Sequence, residues 1–167
     1  MPPYWRYAQE LFPEFKKERI PVARFLCRLK RRTFSLLPIQ LAPYCQYTLT
    51  TIIGTLLLGL SVHQQGQKGF QGAVLAVDSE SLVTPYLVAC WLAMVLSGFK
   101  RAHPVLRSWY DLSALHTAHR ACQQLLGYFL ALGWESSGSQ LMGVLYRYSR
   151  SSRQFMFGTP SQQRLRR

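Results

Sequence analysis

Ile20-Pro21-Val22-Ala23-Arg24-Phe25-Leu26-Cys27-Arg28-Leu29-Lys30-Arg31-Arg32-Thr33-Phe34-Ser35-Leu36-Leu37-Pro38 is the stretch on which the fold turns. Pro21 to Arg28 and Arg32 to Leu37 both alternate apolar with basic or polar residues, the period of a strand. Leu29-Lys30-Arg31 can reverse the chain between them, and Pro38 ends the second run. A small β-hairpin is the expectation. Alternation places Arg24, Leu26 and Arg28 on one face and Phe25 and Cys27 on the other. Arg24, Arg28, Lys30, Arg31 and Arg32 are therefore interleaved with Phe25 and Phe34, and only Glu18 lies near enough in sequence to offset them. Such a hairpin can lie along phosphates and reach base edges with its arginines. The plainer alternative is a solvated charged face, and polyanion contact is the favoured one.

The charge of the whole chain points the same way. Twenty Lys and Arg face seven Asp and Glu over 167 residues, a formal net charge of +13. A protein this basic finds polyanions, either nucleic acid or an anionic membrane. With 49% hydrophobic and 16% charged residues there is enough apolar surface for a core, which excludes a charge-rich disordered tail. Nine of the basic residues fall in residues 1–32, one (Lys68) in 33–99 and ten in 100–167. A nearly neutral, apolar middle is thus flanked by two basic arms.

Outward from the hairpin, Tyr7 to Lys17 is expected to form a short helix interrupted at Pro13. Thr48 or Thr50 can cap a helix through Ile52, Ile53, Leu56, Leu57 and Leu60, whose spacings suit one buried face. Thr84-Pro85 is a strong helix start, with Pro85 at the first helical position. Tyr86, Val88, Ala89, Trp91, Leu92, Val95 and Leu96 continue it to Gly98. Trp91 is expected to anchor this helix against the Ile52–Leu60 helix. Further helices are expected over Val105–Leu115, His119–Leu132 (stopped by Gly133) and Gln140–Ser149. The polar, basic stretch from Ser151 to Arg167 reads as a frayed tail. The expected fold class is mainly α: a small N-terminal β-hairpin followed by a helical, helix-turn-helix-like bundle. The expected domains are a basic arm with the hairpin over 1–45, a helical domain over 46–150, and a flexible tail over 151–167.

Two apolar segments invite a membrane alternative. Tyr47 to Val62 is about 16 residues and Leu82 to Phe99 about 18, against roughly 20 needed to cross a bilayer. Both basic arms would lie on one side, as the positive-inside rule requires of a hairpin. Thr48, Thr50, Thr51, Gly54 and Thr55 in the first segment and Pro85 in the second favour core helices instead.

Catalytic and metal chemistry finds little support. Asp78, Asp111 and Glu135 lie in loops or at helix ends, whereas a two-metal site needs acids presented together. His63, His103, His116 and His119 offer one close pair, His116 and His119, with no cysteine pair beside it. Cys27, Cys45, Cys90 and Cys122 are scattered, with no CxxC and no secretory signal ahead of them, which reads as reduced thiols in a cytoplasmic protein. No nucleophile elbow or Gly-rich phosphate loop is present. No catalytic residue, metal ligand or cofactor is expected.

The run from Ile20 to Pro38, continuing through Leu41, Pro43-Tyr44 and Tyr47, resembles the second half of a zinc ribbon in bacterial insertion-sequence and transposase-associated proteins. There, Phe-x-Cys-x-x-Cys-x-Arg-Thr-Phe-Ser precedes a helix-turn-helix. Arg32-Thr33-Phe34-Ser35-Leu36-Leu37-Pro38 is the more specific part. Thr84-Pro85-Tyr86 through Cys90-Trp91-Leu92 is similar to the family's helix that ends near a tryptophan, and Lys100-Arg101-Ala102-His103 to its basic tail. Cys27 matches the first cysteine, but Lys30 stands where the second belongs, and no cysteine precedes Cys27. A closed tetrahedral zinc site cannot form from these residues. The resemblance implies a metal-free, non-catalytic DNA-binding accessory protein of mobile-element origin. Its contacts would come from Arg24, Arg28, Lys30, Arg31 and Arg32, with Lys100, Arg101 and Arg107, and its partner would be nucleic acid, duplex DNA in the first place. The alternatives are a small membrane protein with a two-helix hairpin and cytoplasmic basic arms, or an RNA-binding or interaction module.

Overall fold

The computed structural model describes residues 4–11, 15–43, 45–64, 74, 83–117, 119–134 and 138–158. Three strands come first: β1 (Tyr4–Glu10), β2 (Lys16–Cys27) and β3 (Arg32–Leu36), antiparallel in the order β1-β2-β3. Among the described residues four long α-helices follow: α1 (Leu49–Gln64), α2 (Pro85–Leu106), α3 (Ala121–Ala131) and α4 (Gly138–Ser152). A 3-10 turn of helix at Ser113–Thr117 lies between α2 and α3. Contacts divide the chain into two compact units, Met1–Thr51 and Ile52–Arg167.

The fold is therefore a mixture of sheet and helix, and the mainly α expectation with a two-stranded hairpin is corrected. The hairpin itself is present, with Ala23 to Cys27 paired to Leu36 to Arg32. What sequence periodicity misread is the segment before it. The expected helix over Tyr7–Lys17 is instead the end of β1 and the start of β2, with Tyr4–Glu10 paired to Val22–Lys16. Tyr4, Trp5 and Tyr7 favour a pleated surface over a helix, and only Ala8 in this strand is buried. Pro13, expected to interrupt the helix, lies outside the described residues.

The helix-turn-helix expectation is corrected too. That motif joins its helices by a turn of about three or four residues. Among the described elements, residues 107–120 separate α2 from α3 and hold the 3-10 turn, a connection much longer than that. Moreover, α2 does not stop at Gly98 but continues through Pro104 to Leu106, which absorbs the start of the helix expected at Val105.

In the first unit the sheet has one covered face. Ala8 and Val22 are buried on it, with Leu41, Ala42, Tyr47 and Leu49 from the following segment. Arg6, on that same face, donates to the carbonyls of Ala42 and Cys45. The free edge of β1 is bridged at Gln9, whose N–H donates to Gln46 O at 2.7 Å and whose carbonyl accepts from Thr48 N–H at 3.0 Å. Thr48 then caps α1 by accepting from the Thr51 N–H at 3.2 Å. Thr51 Oγ1 accepts the buried Leu11 N–H at 3.0 Å.

In the second unit α2 packs on α3 and α4. Thr84 caps it with Pro85 in the first turn, as expected. Phe99 stacks on Tyr128 at 4.8 Å and meets Phe129, Trp134 and Phe157. Trp91 is buried, at 2% exposure. Gly133 ends α3 at φ +67°, where the Gly133 N–H reaches Leu130 O and the Trp134 N–H reaches Phe129 O, a left-handed helix terminus that suits glycine. The expected frayed tail is docked as far as it is described: Met156 and Phe157 are each 1% exposed, and Arg101 donates to the carbonyls of Met156 and Gly158. Residues 159–167 lie outside the described residues.

Candidate nucleic-acid interface

β2 and β3 are joined by residues 28–31, so Arg28, Lys30 and Arg31 sit in the turn and Arg32 opens β3. Arg24 lies back along β2, opposite Ser35, with its guanidinium 4.8 Å from the centre of the Tyr4 ring. All five cations are exposed. Alternation holds for Arg24 to Cys27, whereas Arg28 leaves the strand and joins the tip. Phe25 and Phe34, paired across the strands, stack with centroids 5.4 Å apart.

Arg31 adopts φ +48°, the left-handed region where glycine or asparagine is usual. A bulky side chain there costs on the order of 1 kcal/mol. The turn nonetheless carries arginine, and its neighbours are cations as well. Among the described residues the one ion pair is Lys16 Nζ to Glu18 Oε1 at 2.5 Å. That contact raises the Lys16 pKa through the hydrogen bond and charge of Glu18. It also engages the acid nearest in sequence to the hairpin's cations. The tip is thus a knot of positive charge facing water with no carboxylate in ion-pair range among the described residues.

The second set of expected contacts lies in the other unit and is not uniform. Lys100 and Arg107 are exposed. Arg101 is partly buried and already engaged, donating to Ser97 Oγ at 2.7 Å, Gly158 O at 2.6 Å and Met156 O at 3.2 Å. Those bonds fasten the C-terminal segment to α2. Arg147, which the sequence did not single out, lies 4.3 Å from the Trp109 ring centre.

Sequence reasoning also missed the residues beside the hairpin. Arg19 sits over Trp5 at 5.5 Å and Tyr7 at 5.9 Å, and Lys17 over Tyr7 at 4.7 Å. The signal was present in Tyr4-Trp5-Arg6-Tyr7, an aromatic and basic strand pattern.

Of the residues weighed for catalysis or metal binding, Asp111 and His103 serve local structure. Asp111 accepts the Ser113 N–H at 2.9 Å and opens the 3-10 turn, and that hydrogen bond holds its carboxyl below the usual range. Asp78 and Glu135 lie outside the described residues. His103 Nδ1 is 2.9 Å from Tyr128 Oη, within the helical core. Among the described residues no three His, Cys, Asp or Glu come together in a metal-binding group. Nor is any helix among them long and apolar enough to cross a membrane. Comparisons with known protein families, with curated proteins and with solved structures find no match.

Proposed function

We propose that this chain binds nucleic acid without catalysing a reaction on it, through the β2–β3 hairpin, and that duplex phosphates are contacted by Arg24, Arg28, Lys30, Arg31 and Arg32. The observation that supports this most is the hairpin tip: four exposed cations within residues 28–32, one of them kept at φ +48°. Glycine or asparagine is the usual residue in that conformation, and four neighbouring cations repel one another unless an anion lies against them. The resemblance to insertion-sequence and transposase-associated proteins supports an accessory role of mobile-element origin, working without zinc because Lys30 replaces a ligand. A cytoplasmic location goes with that role, since the four cysteines are free thiols. Lys100 and Arg107 are candidates for auxiliary contacts, while Arg101 serves the fold first.

Arg31→Gly separates function from stability. Relief of left-handed strain roughly balances the greater freedom of glycine in the unfolded chain, so stability should shift by less than about 1 kcal/mol. Affinity for duplex DNA at low salt should fall in the same variant. A variant that binds as tightly as the parent would remove Arg31 from the interface.

A further inference from the structure

The tip of the hairpin leaves the open face of the sheet unexplained. Strand register pairs Trp5 with Pro21, Tyr7 with Arg19 and Gln9 with Lys17. By alternation along β2 the same face continues to Ala23, Phe25 and Cys27, opposite Leu36, Phe34 and Arg32. It is the reverse of the face that buries Ala8 and Val22. Its four aromatic rings are strongly exposed: Trp5 56%, Tyr7 46%, Phe25 44% and Phe34 51%.

Cations are interleaved with these rings. Arg19 and Lys17 lie over Trp5 and Tyr7, while no cation lies over Phe25 or Phe34 among the described residues. An apolar protein partner would have to desolvate Arg19, Lys17 and Arg32 to reach the rings, which is costly without carboxylates to pair them. A neutral bilayer would have to do the same, and an anionic one supplies phosphates without flat π-faces to extend the ring stack. An unpaired polynucleotide meets both features at once, because each nucleotide brings a flat π-face and a phosphate. A duplex cannot use the rings, since its base faces are already stacked within the helix.

We propose that this open face is a stacking platform for unpaired nucleotides, with bases on Phe25 and Phe34 and phosphates on Arg19, Lys17 and Arg32. The proposal rests on the hairpin's binding of nucleic acid and narrows its ligand to nucleic acid with an unpaired stretch, as at a duplex end or junction. Among the described residues Phe25 and Phe34 stack on each other alone, and both are half exposed, so a base can extend the stack without breaking a buried contact.

The test uses the full chain with two labelled probes: a blunt DNA duplex, and the same duplex carrying a single-stranded tail of about ten thymidines, within the usual site size of such platforms. The tail should tighten binding by about tenfold or more, the effect of stacking one or two bases. Phe25→Leu with Phe34→Leu should abolish that increment and leave blunt-duplex affinity and its salt dependence unchanged. Phe25→Tyr with Phe34→Tyr, which keeps the π-faces, should retain the increment and controls for folding. Equal affinity for the two probes would overturn the proposal. So would a double-Leu variant that folds and keeps the increment, or sedimentation showing a dimer of this chain that the double-Leu variant dissolves. Loss of all binding, or binding indifferent to salt, would instead overturn the hairpin's role, a pattern distinguishable from failure of the platform alone.

Discussion

Gly98 sits in the middle of α2, where alanine would ordinarily stabilise a helix by about 1 kcal/mol. Here the opposite is expected. A Cβ at this position meets the ring of Phe157 in hard contact and comes within 2.8 Å of Met156 O. Neither neighbour can yield cheaply. Phe157 is 1% exposed with its edge against Phe99, and the Met156 carbonyl is held by Arg101. Overpacking of this kind costs about 1–3 kcal/mol, so Gly98→Ala should destabilise the chain by a net of up to about 2 kcal/mol, the difference between the two effects. Phe157→Ala should cost about 3–5 kcal/mol, the range for emptying a buried aromatic site. In that background the ring is gone and the penalty at position 98 should shrink by about 1 kcal/mol or more, approaching the propensity gain. Urea denaturation of the parent, both single variants and the double variant measures all of this, provided the m-value is constant. A Gly98→Ala protein more stable than the parent, with additive behaviour in the double variant, would show that residues 155–158 are not docked on α2.

Thr51→Val removes the hydroxyl that accepts the buried Leu11 N–H while keeping the side chain's volume. Thermal or urea unfolding should show a loss of about 1–3 kcal/mol, the cost of a buried donor without its acceptor. Thiol alkylation should rank the cysteines by burial. Cys90 is exposed and should react first. Cys45 and Cys122 have pKa values raised by burial, which Arg6 only partly opposes at Cys45. Because the thiolate is the nucleophile, their modification should lag at pH 8 and accelerate only as pH rises through those higher values. Mass spectrometry of timed samples checks the order, and faster labelling of Cys45 than of Cys90 would contradict it.

The hairpin was legible because its two runs alternate and its turn is bounded, so the pairing is local. β1 was not. Its partner, Lys16–Val22, begins six residues after β1 ends, and Ala8 and Leu11 stand at a spacing that also fits a helix. Short apolar runs leave helix and strand undecided until pairing is known. Gly98 was read as a helix end, yet its role is to admit Phe157 against α2, a contact between residues far apart in sequence. The same long-range packing hid the role of Arg101, whose charge looked available for phosphate but whose guanidinium is bonded to main-chain carbonyls. The caps, by contrast, are local chemistry, and Thr48 and Thr84-Pro85 were visible from the sequence. At the proposed interface, the five exposed hairpin cations are already visible in the sequence. Phe25 and Phe34 could be named with them, but the continuation of that face to Trp5 and Tyr7 could not, because it exists only once β1 is recognised as a strand.

The central claim is that the cations of the β2–β3 turn hold nucleic-acid phosphates. Its most direct test is the salt dependence of duplex DNA binding by the parent and by a variant carrying Arg28→Gln, Lys30→Gln, Arg31→Gln and Arg32→Gln. Each lost phosphate contact should lower the magnitude of the slope of log K against log salt by about 0.9. The account predicts a fall of roughly two to four in that slope, with affinity reduced alike for unrelated sequences and the fold intact by circular dichroism. An unchanged slope in a folded variant would contradict it and move the binding surface away from the hairpin.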